Sequence, residues 1–362
     1  MAKPGNFTSL PVIDISPLFG DDRAARARVV ADLGRTAREI GFLYVTGHGM
    51  APGLFEDLLA AAKSFFALPM DEKMQAYIGK SSNHRGYVPT GEEVIYGGVP
   101  DQKEAFDLSI DLPADDPDYV AGNPMLGPNQ WPALPGFKDR VGAYYDGVMA
   151  IGRVLLRGFA EALGQDPSLF DSYVTKPPSQ LRLIHYPHNE NAPGNAMGIS
   201  PHTDMEVFTL LRVTAPGLEV MNGAGEWIDV PPLENAFVVN LGDMMEAWTN
   251  GEFIATSHRV RKVKEERYSF PLFFSVDYHT EVAPLPMFVS ADKPARKPVV
   301  AGEHLFQVTA QGFVYLQKRI AEGRLVLPED ASGTHQFGQH ARHEIPHMET
   351  PHIGAETPAP AR

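Results

Sequence analysis

The chain has 362 residues, 43% apolar and 21% charged, the make-up of an ordinary globular protein, with a formal net charge of −14. An anionic surface of that size repels phosphate backbones and argues against nucleic acid as a partner. With no cysteine, disulfides, thiolate metal sites and cysteine nucleophiles are excluded.

The opening stretch MAKPGNFTSLPVIDIS lacks the apolar run of a secretory signal, and no segment approaches the ~18 apolar residues of a membrane span. A soluble, cytoplasmic protein without a membrane partner is therefore expected; nothing in the sequence fixes an oligomeric state. LPVIDISPL (10–18) predicts a short strand ended by Pro17, and residues 21–40 a helix carrying Val30, Leu33, Ala37 and Ile40 at helical spacing. GFLYVTGHGM (41–50) predicts a buried strand, and 52–67 a second helix. Residues 80–135, rich in Gly, Pro, Asn and Asp, predict loops and short strands. Between 137 and 163, Val141, Tyr144, Val148, Ile151, Leu155, Phe159 and Ala162 make one helical stripe, interrupted by four glycines that lower helix propensity and permit close packing.

From about 180 the pattern changes to short β-rich runs punctuated by Gly, Asn and Pro: LRLIHYP, ISPHTDMEVFTLLRV, GLEVMNGAGEWIDVP, AFVVNLGDMM, SHRVRKV and ERYSFPLFFSVDY. Strands at that spacing predict a sandwich or barrel. Residues 302–321 read as helical. The tail beyond them holds His335, His340, His343, His347 and His352 at spacings that match no standard metal-ligand pattern. GKS at 79–81 fails as a phosphate-binding loop because position 74 is Met74 where glycine is required.

His202 and Asp204 are two apart in a β-like run, and positions i and i+2 of a strand share a face. A third ligand from the β-like SHRVRKV, His258, would complete two imidazoles and one carboxylate on one side of an ion. That set leaves positions open and suits non-haem Fe(II); zinc accepts the same donors. Arg267 and Ser269 likewise share a face, and a guanidinium with a hydroxyl beside it is a carboxylate grip. Phe273 has the same parity and is expected to line the same pocket. So, on its own strand, is Arg182 if Tyr186 points inward, and an inward Arg requires a carboxylate partner, here expected from cosubstrate or substrate.

NLGDMMEAWTNGEFIATSHRV followed by ERYSFPLFF, with LPVIDISPL, GFLYVTGHGM, FFALPMDEK and LRLIHYP upstream, resembles the Fe(II)- and 2-oxoglutarate-dependent oxygenases of the isopenicillin N synthase-like family, with a bacterial member expected. The resemblance runs in order over about 10–320. It implies a mainly β fold with flanking helices, whose core is a double-stranded β-helix (jelly roll) beside an N-terminal mixed α/β region. The divisions are 1–135 for that region, 136–175 for a long supporting helix, 176–285 for the catalytic core and 286–362 for a C-terminal helix and His/Pro-rich tail. It further implies Fe(II) on His202, Asp204 and His258, with 2-oxoglutarate held by Arg267, Ser269 and Tyr186. Many relatives carry Asn two residues before that Tyr, where this chain has Ile184. HRGYVPTGEEVIYGG (84–98) is similar to the loop over the active site in bacterial members and offers Tyr87, Glu92 and Glu93 toward a small-molecule substrate. The implied reaction consumes O2 and 2-oxoglutarate, releases succinate and CO2, and oxidises an unactivated C–H by hydroxylation, desaturation or cyclisation. An oxidase with the same triad but no 2-oxoglutarate, and a jelly-roll binding protein with a structural metal, are the rival readings.

Overall fold

The computed structural model describes residues 4–94, 102–187, 198–261 and 265–327. The strands are β1 (Val12–Asp14), β2 (Phe42–Thr46), β3 (Gly86–Val88), β4 (Glu104–Leu108), β5 (Gln180–Tyr186), β6 (Ile199–His202), β7 (Phe208–Val213), β8 (Leu218–Met221), β9 (Trp227–Asp229), β10 (Phe237–Leu241), β11 (His258–Val260) and β12 (Arg267–Phe274), followed by the short pair β13 (Glu281–Val282) and β14 (Val299–Val300). The helices are α1 (Arg23–Glu39), α2 (Leu54–Phe66), the short α3 (Met70–Lys73) and α4 (Pro117–Val120), α5 (Phe137–Ala162), α6 (Asp243–Trp248), α7 (Ala301–Gly312) and α8 (Val314–Ala321).

Eight strands form one sheet in the order β1-β2-β10-β7-β12-β5-β4-β3, and β6-β11-β8-β9 form a smaller sheet facing it. All pairings in these two sheets are antiparallel except β1 with β2. The two sheets close as a jelly roll, as expected. The N-terminal region adds β1 and β2 to one side of the large sheet and β3 and β4 to the other.

Strand alternation divides the large sheet into two chemistries. On β12, Tyr268, Phe270, Leu272 and Phe274 belong to the main apolar core, whereas Arg267, Ser269, Pro271 and Phe273 line the interior cavity. On β5, Leu181 and Leu183 face the core; Gln180, Arg182, Ile184 and Tyr186 face the cavity. The core side is covered by α5, whose stripe residues Val141, Tyr144, Val148, Ile151, Leu155 and Phe159 are buried. Gly152 lets it lie against the sheet: a Cβ there would sit 2.4 Å from Phe274 Cδ2. The helix ends at Ala162, and residues 163–175 are turns and a short 3-10 segment. α1 starts on Asp22, whose carboxylate accepts the backbone N–H groups of Ala24 and Ala25. No helix among the described residues is long and apolar enough to cross a membrane. The tail histidines 335–352 lie outside the described residues.

Candidate active site

His202 is the last residue of β6 and pairs directly with His258 at the start of β11. Asp204 lies just past the strand end, so parity alone does not place it; the turn into β7 does. His202 Nε2 and His258 Nε2 are 3.6 and 3.5 Å from Asp204 Oδ1, and the imidazole centroids are 4.3 Å apart. The three possible ligand atoms lie within 4.8 Å of one another.

Each group is held by a partner on its far side. His202 Nδ1 lies 2.8 Å from the Ser200 carbonyl and His258 Nδ1 3.2 Å from that of Thr256, contacts that place the proton on Nδ1 and leave the Nε2 lone pair inward. Asp204 Oδ2 accepts the Thr209 hydroxyl and, at 2.7 Å, Asn240 Nδ2, so Oδ1 is the oxygen turned to the imidazoles. Burial opposes ionisation of Asp204, but the two imidazoles outweigh it and hold the carboxyl well below its usual range. Glu206, also at the cavity wall, has no such neighbours: burial and the Asp204 charge push it up to about 8.

The triad opens into a cavity of about 550 Å³ inside the barrel. At one end stands Arg267, 0% exposed. Its Nε donates to the Ala215 carbonyl at 3.2 Å, its guanidinium carbon lies 4.8 Å from the Tyr186 ring centroid, and Nη1 and Nη2 have no acceptor among the described residues. Burial lowers its pKa, the mark of a desolvated cation without a carboxylate partner. Ser269 lines the cavity one inward position along β12. A buried guanidinium with two orphan N–H forks, sharing a cavity with an open His-Asp-His face, fits a dianionic ligand such as 2-oxoglutarate lying between them. The residues present therefore fit both Fe(II) and that cosubstrate.

The other expected site residues divide. Phe273 lines the cavity opposite Arg267's end of β12. Arg182 does face inward, but its carboxylates come from the protein: Nε and Nη2 grip Asp107 at 2.8 and 3.1 Å, and Nη1 reaches Glu93 at 3.1–3.2 Å. Glu93 is buried in an ion pair with Arg182 and with Lys103 at 3.2 Å, and stands at the cavity wall already neutralised. Tyr87 is a correction. It is 0% exposed, its hydroxyl donates to Glu104 at 2.6 Å, and its ring lies on the core side of β3, away from the cavity. Val88, on the opposite face of the same short strand, packs in the separate cluster with Ile78, Ala105 and Ile184. Thr209, Asn240, Lys103, Asp107 and His84 were not anticipated. Asn240, a lone amide in the apolar run AFVVNL, was the one with a visible signal.

A jelly roll with two imidazoles and one carboxylate at an open face defines a non-haem metal oxygenase type of site. Residues 177–276 match the 2OG-Fe(II) oxygenase superfamily, and residues 10–134 match the non-haem dioxygenase in morphine synthesis N-terminal family. The chain is 34% identical to the 2-oxoglutarate-Fe(II) type oxidoreductase hxnY of Emericella nidulans over 82% of this chain and 88% of that protein. It is 34% identical to the homoarginine-6-hydroxylase 2-ODD-C23 of Glycine max, over 86% and 99% respectively. Among solved structures, a full-length Neurospora crassa protein in complex with alpha-KG superposes with a TM-score of 0.75 at 25% identity, over 86% of this chain and 99% of that one. The chain thus belongs to the 2OG-Fe(II) oxygenase superfamily: it is a dioxygenase that uses Fe(II), 2-oxoglutarate and O2. The curated relatives named come from a fungus and a plant and lend no support to a bacterial origin.

Proposed function

We propose that His202, Asp204 and His258 hold the Fe(II), and that Arg267 and Ser269, with Tyr186 beside them, take the distal carboxylate of 2-oxoglutarate. The observation that carries this is Arg267: a fully buried guanidinium, beside Tyr186 and with no carboxylate partner among the described residues, stands in the cavity that the triad opens into. When bound, the metal and cosubstrate supply the oxidising chemistry, with 2-oxoglutarate leaving as succinate and CO2. The chain's own residues do the rest. Ser200 and Thr256 carbonyls fix the imidazoles, Thr209 and Asn240 hold Asp204 with one oxygen turned inward, and the apolar walls Ile184, Leu218 and Val260 keep bulk water from the cosubstrate channel.

The substrate, a small molecule, then lies toward Phe273, Gln180, His84 and Phe313, where its C–H faces the metal. Hydroxylation is the expected outcome. Arg182 serves here as a neutralised strut of the wall rather than as a receptor for a substrate carboxylate. The net charge of −14 argues against a nucleic-acid partner, and the missing cysteines fit a reducing, cytoplasmic location. Oxygen consumption and succinate release, measured with Fe(II) and a panel of small molecules in the presence and absence of 2-oxoglutarate, test the reading. Oxygen uptake that persists without 2-oxoglutarate would favour the oxidase alternative.

A further inference from the structure

Glu92 has no part in the metal or cosubstrate ends, yet both its carboxylate oxygens are engaged. Oε1 accepts the backbone N–H of Tyr315 at 2.7 Å, and Oε2 accepts the Tyr77 hydroxyl at 2.9 Å. The backbone beside it adds a two-way link: Val314 N–H donates to the Glu92 carbonyl at 2.9 Å, Val94 N–H donates to the Gly312 carbonyl at 2.8 Å, and Glu93 pairs with Phe313 as an antiparallel bridge. Tyr315 N–H belongs to the first turn of α8, whose own N-cap, Phe313, offers no side-chain acceptor. The first N–H groups of a helix need an outside partner, and a carboxylate there is favoured by the helix dipole. Glu92 supplies it from more than two hundred residues upstream.

The junction so held lines the cavity at the end that the proposed function gives to substrate, and the inference rests on that reading. The Phe313 ring meets His84 edge to face at 4.6 Å and lies 5.4 Å from the Arg182 guanidinium. The Tyr315 hydroxyl is 2.6 Å from His84 Nδ1. His84 itself is buried at φ 60, a backbone conformation uncommon for a residue with a side chain, so it keeps its place only while its surroundings hold it. His84 and Phe313 both line the cavity.

We propose that Glu92 is a positioning residue for the oxygenase reaction. It latches the α7–α8 junction to the 89–94 loop, and through Phe313 and Tyr315 it fixes His84 at the substrate end. The test is hydrogen exchange by mass spectrometry on the full-length protein, loaded anaerobically with Fe(II) and 2-oxoglutarate. Four proteins are compared: wild type, Glu92→Ala, Glu92→Gln and a remote ion-pair control, Arg26→Ala. Losing the two hydrogen bonds should speed exchange across 313–321 in Glu92→Ala by about tenfold or more. Exchange in β5 and β12 and the affinity for 2-oxoglutarate should stay within about twofold of wild type, since opening of α8 is local. Glu92→Gln keeps an acceptor oxygen for Tyr315 N–H and should remain within about threefold of wild type. Unchanged exchange at 313–321 in Glu92→Ala would overturn the proposal. So would a rise shared equally by β5 and β12, as in a general loss of stability, or a Glu92→Gln protein that exchanges as fast as Glu92→Ala.

Discussion

Asp204 shows how the site divides labour within one side chain. Thr209 and Asn240 bind Oδ2, and Oδ1 is left to the imidazole side. Thr209→Val keeps the shape and removes the hydroxyl, leaving Asn240 alone to hold Oδ2. Outer partners of this kind typically matter by about 10–100-fold in metal affinity, so Thr209→Val should bind Fe(II) more weakly by that order while unfolding like wild type. A competition titration against a chelator reads it. Arg182 makes a different prediction. Its removal strands the Asp107 carboxylate in a buried setting and leaves Glu93 with Lys103 alone, which should cost about 3–5 kcal/mol in urea unfolding. A loss under about 1 kcal/mol would mean the wall relaxes around water. At this scale the convergence of His202, Asp204 and His258 was legible from the H-x-D spacing together with the family resemblance, and the shared inward face of Arg267 and Ser269 from their i, i+2 spacing. The partners of Arg182 were not, since Asp107 and Glu93 reach it across strand pairings and a loop that no spacing reveals.

At the scale of elements, periodicity carried most of the reading. The α5 stripe and the β12 alternation are one-dimensional patterns, and both faces of each came out as their residues require. Two features were hidden. β6 stops at His202, because a strand's end is set by where its neighbour β11 ceases to pair. Tyr87 sits in a three-residue strand, too short for alternation to be counted. The glycines of α5 did hint at close packing, and Gly152 is where it occurs. Gly152→Leu would drive a side chain into the Phe274 ring, which stacks on Phe208 at 4.8 Å. The expected loss is at least about 1–3 kcal/mol, the usual cost of overpacking a full core, offset only slightly by better helix propensity. Thermal unfolding of the metal-free protein measures this without involving activity.

For the whole molecule, the N-terminal region and the C-terminal helices are parts of the same machine as the barrel. β1–β4 widen the large sheet, β4 supplies Asp107, and α7 with Phe313 closes the cavity. That cavity has two chemically distinct ends, the His-Asp-His face and the Arg267 guanidinium. Arg267→Ala separates them, since it leaves all three possible metal ligands in place. Stranding one member of a desolvated charge pair costs ~2–5 kcal/mol, so the dissociation constant for 2-oxoglutarate should rise by at least ~30-fold. Arg267→Lys should recover only part of the loss, because a point charge lacks the bidentate fork. The deciding measurement is an anaerobic titration of the Fe(II) protein with 2-oxoglutarate, followed through the visible charge-transfer band. The account predicts a saturable band in wild type, the same Fe(II) occupancy in Arg267→Ala, and a titration curve displaced to much higher cosubstrate. An Arg267→Ala protein that titrates like wild type would contradict it.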